Sequence, residues 1–311
     1  MLYLQNFVRS DFGLARITVP LFFVISGYLF YLNVPDGIKS VFHKQKKRIR
    51  TLLIPYLIAC AVIAGIYAVL ARFMSSYDIR LLFHEKLYVI VYNIFFATEA
   101  SKPVAYHLWF LRNLIILVAA APLWYYALRY LRWGFVVLAF AATFLELPIY
   151  VQIKESIFWF VLGGALSKTN VENSMFLRCG QACFCLFVIL CVTQLFVDDL
   201  SSWDYFSMPF KLLGVAGTWG IYNALVPTTF ALASRPKLSA ACGYTFFIYL
   251  YHIPAITAVQ RFILAIVGTG LFGHILCYAS TAWVFVLIAI PVGMLFRKHL
   301  PKLYGIVTGG R

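Results

Sequence analysis

Acidic side chains are scarce in this sequence: 11 Asp and Glu stand against 26 Lys and Arg, and charged residues make up only 12% of 311. Soluble domains carry about 25% charged residues. With 63% hydrophobic and 18% aromatic residues, the chain has more apolar surface than a water-facing domain of this length can hide, which excludes a wholly soluble fold. Acids within the apolar stretches, the mark of many ion-coupled carriers, are nearly missing; Glu146 falls near a helix end. A Gly-rich phosphate loop, an HExxH metal motif and a GxSxG nucleophile elbow are absent as well. No long basic tail or RNA-reading motif accompanies the net charge of +15, so nucleic acid is not the partner it implies. The N-terminus lacks a basic n-region, an apolar h-region and a small-residue cleavage site, which argues against a cleaved signal. Cys179, Cys183 and Cys185 cluster, but no His or carboxylate completes a metal set. The seven cysteines lie mostly in apolar stretches and read as small hydrophobes.

What is present is a series of apolar runs of spanning length, about 20 residues each. They fall at roughly 17–33, 51–72, 107–128, 133–149, 178–198, 208–232, 244–267 and 271–296, with a shorter run at 156–166. The aromatic stretch 87–98 is too short to span comfortably and reads as re-entrant or interfacial. The expectation is an all-α, polytopic transmembrane helix bundle of about nine spans. Residues 1–311 then form a single transmembrane domain, ending in a short basic tail at 297–311.

Charge placement orients the bundle. If segment 34–50 is a cytoplasmic loop, alternation puts 129–132, 168–178, 233–242 and the tail after Phe296 on the same side. Those segments hold 16 of the 26 basic residues but only Asp36 and Glu172 of the 11 acids. The acidic loop with Asp198, Asp199 and Asp204 falls outside. This satisfies the positive-inside rule, with anionic headgroups as the partners of the basic loops. It sets the N-terminus outside and the C-terminus inside. An odd number of spans with an outside start and no signal leads to the expectation that one helix is missing before Met1.

Four constellations stand out from the apolar background. The first is Pro20–Phe30, a spanning run interrupted by Pro20, Ser26 and Gly27, with Arg16 just before it. Interruptions at membrane depth are tolerated where neighbouring helices or waters re-satisfy the backbone. Arg16 either snorkels to headgroups or faces a polar cavity. The second is Lys47–Tyr56. Lys47 and Arg50 are three apart and share a helix face, so with Arg48 they either mark the inner boundary or hold the phosphates of a bulky anionic donor.

The third is Tyr106–Arg112 at the outer start of a span, where His107 and Trp109 fit an aromatic belt. Arg112, about one turn in, needs a partner or water. The fourth is Phe247–Pro254, in which Tyr249 and His252 precede a proline. An intramembrane histidine can exchange a proton near neutral pH; a hydrogen-bonded structural role is the rival reading.

Together these segments resemble the acyltransferase 3 family of integral-membrane O-acyltransferases. The matching stretches are Val19–Phe30, Lys47–Tyr56, His107–Leu111 and Ile248–His252, in family order across nearly the whole chain. The resemblance is greatest to the branch of bacterial inner-membrane acetyltransferases that modify surface polysaccharides or glycolipids. It implies a bundle of about ten spans that moves an acyl group, usually acetyl, from acyl-CoA to a sugar hydroxyl. By resemblance, Lys47, Arg48 and Arg50 bind the CoA phosphates. His107 and His252 are the catalytic candidates, and Arg16, Ser26, Trp109, Arg112 and Tyr249 line the substrate cavity. The partners implied are acyl-CoA, a glycan or glycolipid acceptor and the lipid bilayer. No metal or permanently bound cofactor is expected.

Family members begin with a helix carrying an arginine and, about three turns later, a histidine proposed as general base. No position here matches that helix. The expectation is that the true start lies upstream or that the chain is an inactive truncated member. The rival from another class is an exporter of a glycolipid precursor, which would consume no acyl donor.

Overall fold

A computed structural model describes residues 13–32, 34, 37–70, 86–95, 105–145, 151–168, 179–193, 204–225 and 236–310. Asp36, Glu146, Glu172, Asp198 and Asp199 lie outside the described residues. The described chain is helical. In order, the helices are α1 (Gly13–Tyr31), α2 (Ile38–Leu70), α3 (Leu87–Phe95), α4 (Trp109–Ala119, entered through a single 3-10 turn at Tyr106–Leu108) and α5 (Ala121–Leu131). They continue as α6 (Trp133–Thr143), α7 (Val151–Leu166), α8 (Gly180–Thr193), α9 (Asp204–Leu225), α10 (Pro236–Cys242), α11 (Thr245–Val267), α12 (Leu271–His299) and α13 (Pro301–Thr308).

Among the described residues two helices, α2 and α12, are long and apolar enough to cross a bilayer, and up to four spans result if each of two bent pairs counts as one. One bent pair is α4 with α5, turned by 63° at Ala120. The other lies within α11, which bends by 69° between Ile253 and Ala255. Three further helical stretches, Arg16–Tyr31, Trp133–Thr143 and Gly180–Thr193, are apolar but shorter. Two of the apolar runs seen in the sequence, 107–128 and 244–267, are therefore cut into shorter pieces where the backbone turns. The basic stretch expected as a loop is helical from Ile38 onward, forming the first turns of the 33-residue α2. Many large apolar side chains point outward, among them Phe262, Phe272, Trp283 and Leu287, each more than 60% exposed. Such a surface is matched by lipid and not by water, and the chain is a membrane protein.

The chain divides into two compact units: residues 1–46 with 116–231, and residues 47–115 with 232–311. In the first unit, α1 packs along α7, α8 along α9, and α9 on α1. Lacking a hydrophobic drive toward one another in lipid, helices associate through close backbone approach at small residues. Gly27 and Gly163 supply it: a Cβ on Gly27 would overlap the Phe160 carbonyl, and one on Gly163 the Val24 carbonyl. The Tyr31 hydroxyl donates to the Ala121 carbonyl at 2.8 Å. Lys44 Nζ donates to Leu29 O at 2.9 Å and Leu32 O at 3.0 Å, satisfying carbonyls at the C-terminal end of α1. Lys211 of α9 pairs with Glu155 of α7 at 2.7 Å.

In the second unit α11 packs on α12, and α13 touches both. α13 starts with Pro301, whose missing N–H costs nothing at a helix start. It buries Tyr304 at 2% exposure, with ring centroids 5.7 to 6.1 Å from Tyr244, Phe247 and Phe296. The stretch read as a short tail thus contains a packed helix.

Candidate active site

The second unit gathers most of the residues singled out in the sequence. His252 sits at the end of the first half of α11. The next residue, Ile253, has φ −106° and ψ 129°, values outside the helical region. The residue before a proline is disfavoured in the helical region and driven to extended backbone, so Pro254 accounts for the break. The break ends the first half of the helix one residue after the imidazole.

His107 comes to the same place from 145 positions earlier in the chain. The 3-10 turn at Tyr106–Leu108 carries its ring into the interior, where it is 8% exposed. The His107 and His252 rings meet edge to face, with centroids 4.8 Å apart and planes at 80°. Three further contacts hold this junction. Nε2 of His107 lies 3.3 Å from the Leu250 carbonyl. The Tyr249 hydroxyl donates to the His107 carbonyl at 3.4 Å. The rings of Phe110 and Tyr249 stand edge to face at 6.0 Å.

Hydrogen bonding sets the tautomers. A carbonyl oxygen only accepts, so a ring nitrogen bonded to one must be the donor. Nδ1 of His252 lies 2.7 Å from the Tyr249 carbonyl and is therefore its N–H donor. In the neutral ring Nε2 then carries the lone pair. The same logic makes Nε2 of His107 the donor to Leu250. It leaves Nδ1 basic, buried and without a hydrogen-bond partner among the described residues. Two imidazoles with fixed tautomers, each keeping one lone-pair nitrogen, meet the basic requirement for a group that takes and returns a proton.

A second polar group lies on α2 and α4. The Tyr56 hydroxyl and Cys60 thiol are hydrogen-bonded to each other, within electrostatic reach of the Arg112 guanidinium and of Tyr249. Cys60 is wholly buried, Arg112 is 8% exposed and the neighbouring Asn113 is wholly buried. Trp109 is half-buried at the start of α4. Sequence reasoning took Cys60 for a small hydrophobe, and nothing in its local spacing marks the pairing with Tyr56 beyond their separation of four residues, one helical turn.

The basic residues occupy the same helix lower down. Lys47 and Arg50 are exposed and Arg48 is half-buried. Ten residues separate Arg50 from Cys60, a rise of about 15 Å along a helix. Arg16 and Ser26 are half-buried residues of α1 and belong to the first unit.

A helical membrane protein that pairs a buried with a half-buried imidazole, and carries a basic turn on a helix of the same unit, has the makings of an intramembrane group-transfer enzyme. The acyltransferase 3 family, described as an acyltransferase domain, matches residues 1–296. The chain belongs to that family and is an acyltransferase. It is similar to the succinoglycan biosynthesis protein ExoH of Rhizobium meliloti (strain 1021), with 29% identity over 314 residues covering 96% of this chain and 80% of that protein. No solved structure matches.

Proposed function

We propose that this protein is a multi-pass enzyme of the bacterial inner membrane that moves an acyl group, acetyl in the simplest case, from acyl-CoA to a hydroxyl of a cell-surface polysaccharide or glycolipid. Family membership supports the acyl transfer, and the relative's name, that of a polysaccharide biosynthesis protein, supports the acceptor class. The observation that carries the reading is the His107–His252 pair with its fixed tautomers.

A sugar hydroxyl attacks a thioester only as its proton is removed. In this reading Nε2 of His252 takes that proton while the hydroxyl oxygen bonds to the thioester carbonyl carbon. Collapse of the tetrahedral intermediate breaks the C–S bond, and the CoA thiolate leaves and takes up the proton from the imidazolium. His107 packs against the base and holds the second basic nitrogen. Arg112, Trp109 and Tyr249 line the reaction cavity. Lys47, Arg48 and Arg50 hold the CoA phosphates as point and forked cations. The about 15 Å between them and Cys60 suits a donor whose pantetheine arm spans from phosphates to thioester.

Labelled acetyl-CoA, supplied to membranes that contain the protein and a glycolipid fraction, tests the reading. The expected result is free CoA together with alkali-labile label on glycan; a carrier would consume no donor. His252→Ala should abolish the transfer while membrane insertion, followed by immunoblot of washed membranes, is kept. Undiminished transfer by that variant would remove His252 from the site.

A further inference from the structure

The donor-binding turn has a structural neighbour that its own helix does not provide. Pro55 lies inside α2 and has no N–H, so the carbonyl four residues earlier, that of Thr51, loses the bond it would accept in an unbroken helix. Such a gap lets the preceding turns, which carry Lys47, Arg48 and Arg50, tilt about the proline. The residue seated against this notch comes from the far end of the chain. A Cβ placed on Gly309 would overlap the Thr51 carbonyl oxygen and lie 3.3 Å from the Pro55 ring.

Gly309 is held there by the way α13 ends. Its φ of 70° and ψ of 27° are left-handed, where glycine alone is free of strain. Gly310 N–H donates to Gly305 O at 2.6 Å and Gly309 N–H to Ile306 O at 3.3 Å, the paired bonds of a Schellman cap. The other end of α13 is anchored by Tyr304 among Tyr244, Phe247 and Phe296. On the α2 side, the Thr51 hydroxyl donates to the Arg48 carbonyl at 3.1 Å. The contact at Thr51 is thus tied directly to the basic turn.

We infer that α13 and its Gly309 cap form a latch in the Pro55 notch of α2 that sets the direction of the Lys47–Arg50 turn, making Gly309 a positioning residue for the phosphates of the donor. The inference rests on the reading that this turn binds acyl-CoA. A side chain at 309 lifts the latch, and the cations then splay without any change at the imidazoles.

The test compares Gly309→Val, Pro55→Ala and Arg50→Gln in the full-length protein reconstituted in vesicles, measuring kcat and both KM values with acetyl-CoA as donor. Pro55→Ala restores an N–H for Thr51 and closes the notch, and it carries the test should Gly309→Val fail to accumulate. Both are expected to raise the donor KM several-fold, with kcat and acceptor KM unchanged. A donor KM equal to that of the unaltered protein, or a loss shared equally by kcat and both KM values, overturns the latch. So does an effect that appears only when phosphatidylglycerol is added to the vesicles, because the phosphate recognised would then be a lipid headgroup. Arg50→Gln separates the two levels. If it leaves the donor KM unchanged, the donor-site reading itself fails; if it alone raises the donor KM, only the latch fails.

Discussion

At the scale of single residues, the chemistry proposed rests on nitrogens whose tautomers are set by main-chain carbonyls. His107 spends Nε2 on Leu250 and keeps a buried Nδ1, while His252 spends Nδ1 on Tyr249. A purely structural histidine would be replaceable by a ring of similar shape. His107→Phe keeps the edge-to-face packing and removes both nitrogens. Losing the hydrogen bond alone costs about 0.5–1.5 kcal/mol of stability. General acid–base participation is worth about 10²–10⁴ in rate. We therefore expect His107→Phe to cut transfer at least about a hundredfold with a small fall in the thermal midpoint measured in detergent. Near-normal transfer would reduce His107 to packing. Both histidines were legible in the sequence, each as a polar group in an apolar run. Their meeting was not, because 145 residues separate them and no periodicity links a 3-10 turn to a proline-broken helix. Cys60 and Tyr56 were hidden for a similar reason: a cysteine in an apolar run looks the same whether or not a hydroxyl faces it.

At the scale of elements, short breaks decide what long apolar runs become. The sequence marked Pro20–Phe30, the basic stretch, the His107 segment and the His252 segment, and the last two have a local backbone reason, a 3-10 turn and a proline break. The glycines of α1 and α7 show how the first unit holds together without help from water. Gly163 faces the Val24 carbonyl and Gly27 the Phe160 carbonyl, so neither position has space for a Cβ. Overpacking of a well-packed interior costs about 1–3 kcal/mol. Gly163→Val should destabilise the protein by about 1–3 kcal/mol, read as a lower thermal midpoint in detergent, and reduce protein yield in membranes. Gly65, with open space around it, should accept alanine without loss, and equal tolerance at both sites would mean that α1 and α7 do not pack at their glycines. Helix α13 was less legible. A glycine pair following an apolar stretch is a sequence signature of a helix end, but the notch that receives it arises from Pro55, more than 250 residues away.

At the scale of the whole molecule, the excess of basic over acidic residues is an orientation signal. The segments assigned to one side hold 16 of the 26 Lys and Arg against 2 of the 11 acids, and the rest of the chain is nearly balanced. Lys and Arg in short loops resist translocation, whereas acids contribute little, so this asymmetry is the ground for expecting that end of the bundle in the cytoplasm. The function proposed depends on it. Acyl-CoA is made inside the cell, and the basic turn at Lys47–Arg50 reaches it only if that end of α2 is cytoplasmic; the surface glycan is then met from the opposite end. The C-terminal segment, latched to the same turn through Gly309 and Thr51, must share that side. A fluorescent protein fused after Arg311 should therefore fluoresce in cells, since it matures in the cytoplasm, and alkaline phosphatase fused at the same point should stay inactive, since it needs an oxidising compartment. Active phosphatase with a dark fluorescent fusion would put the donor site on the wrong face and overturn the acyl-CoA reading, whatever the imidazoles do.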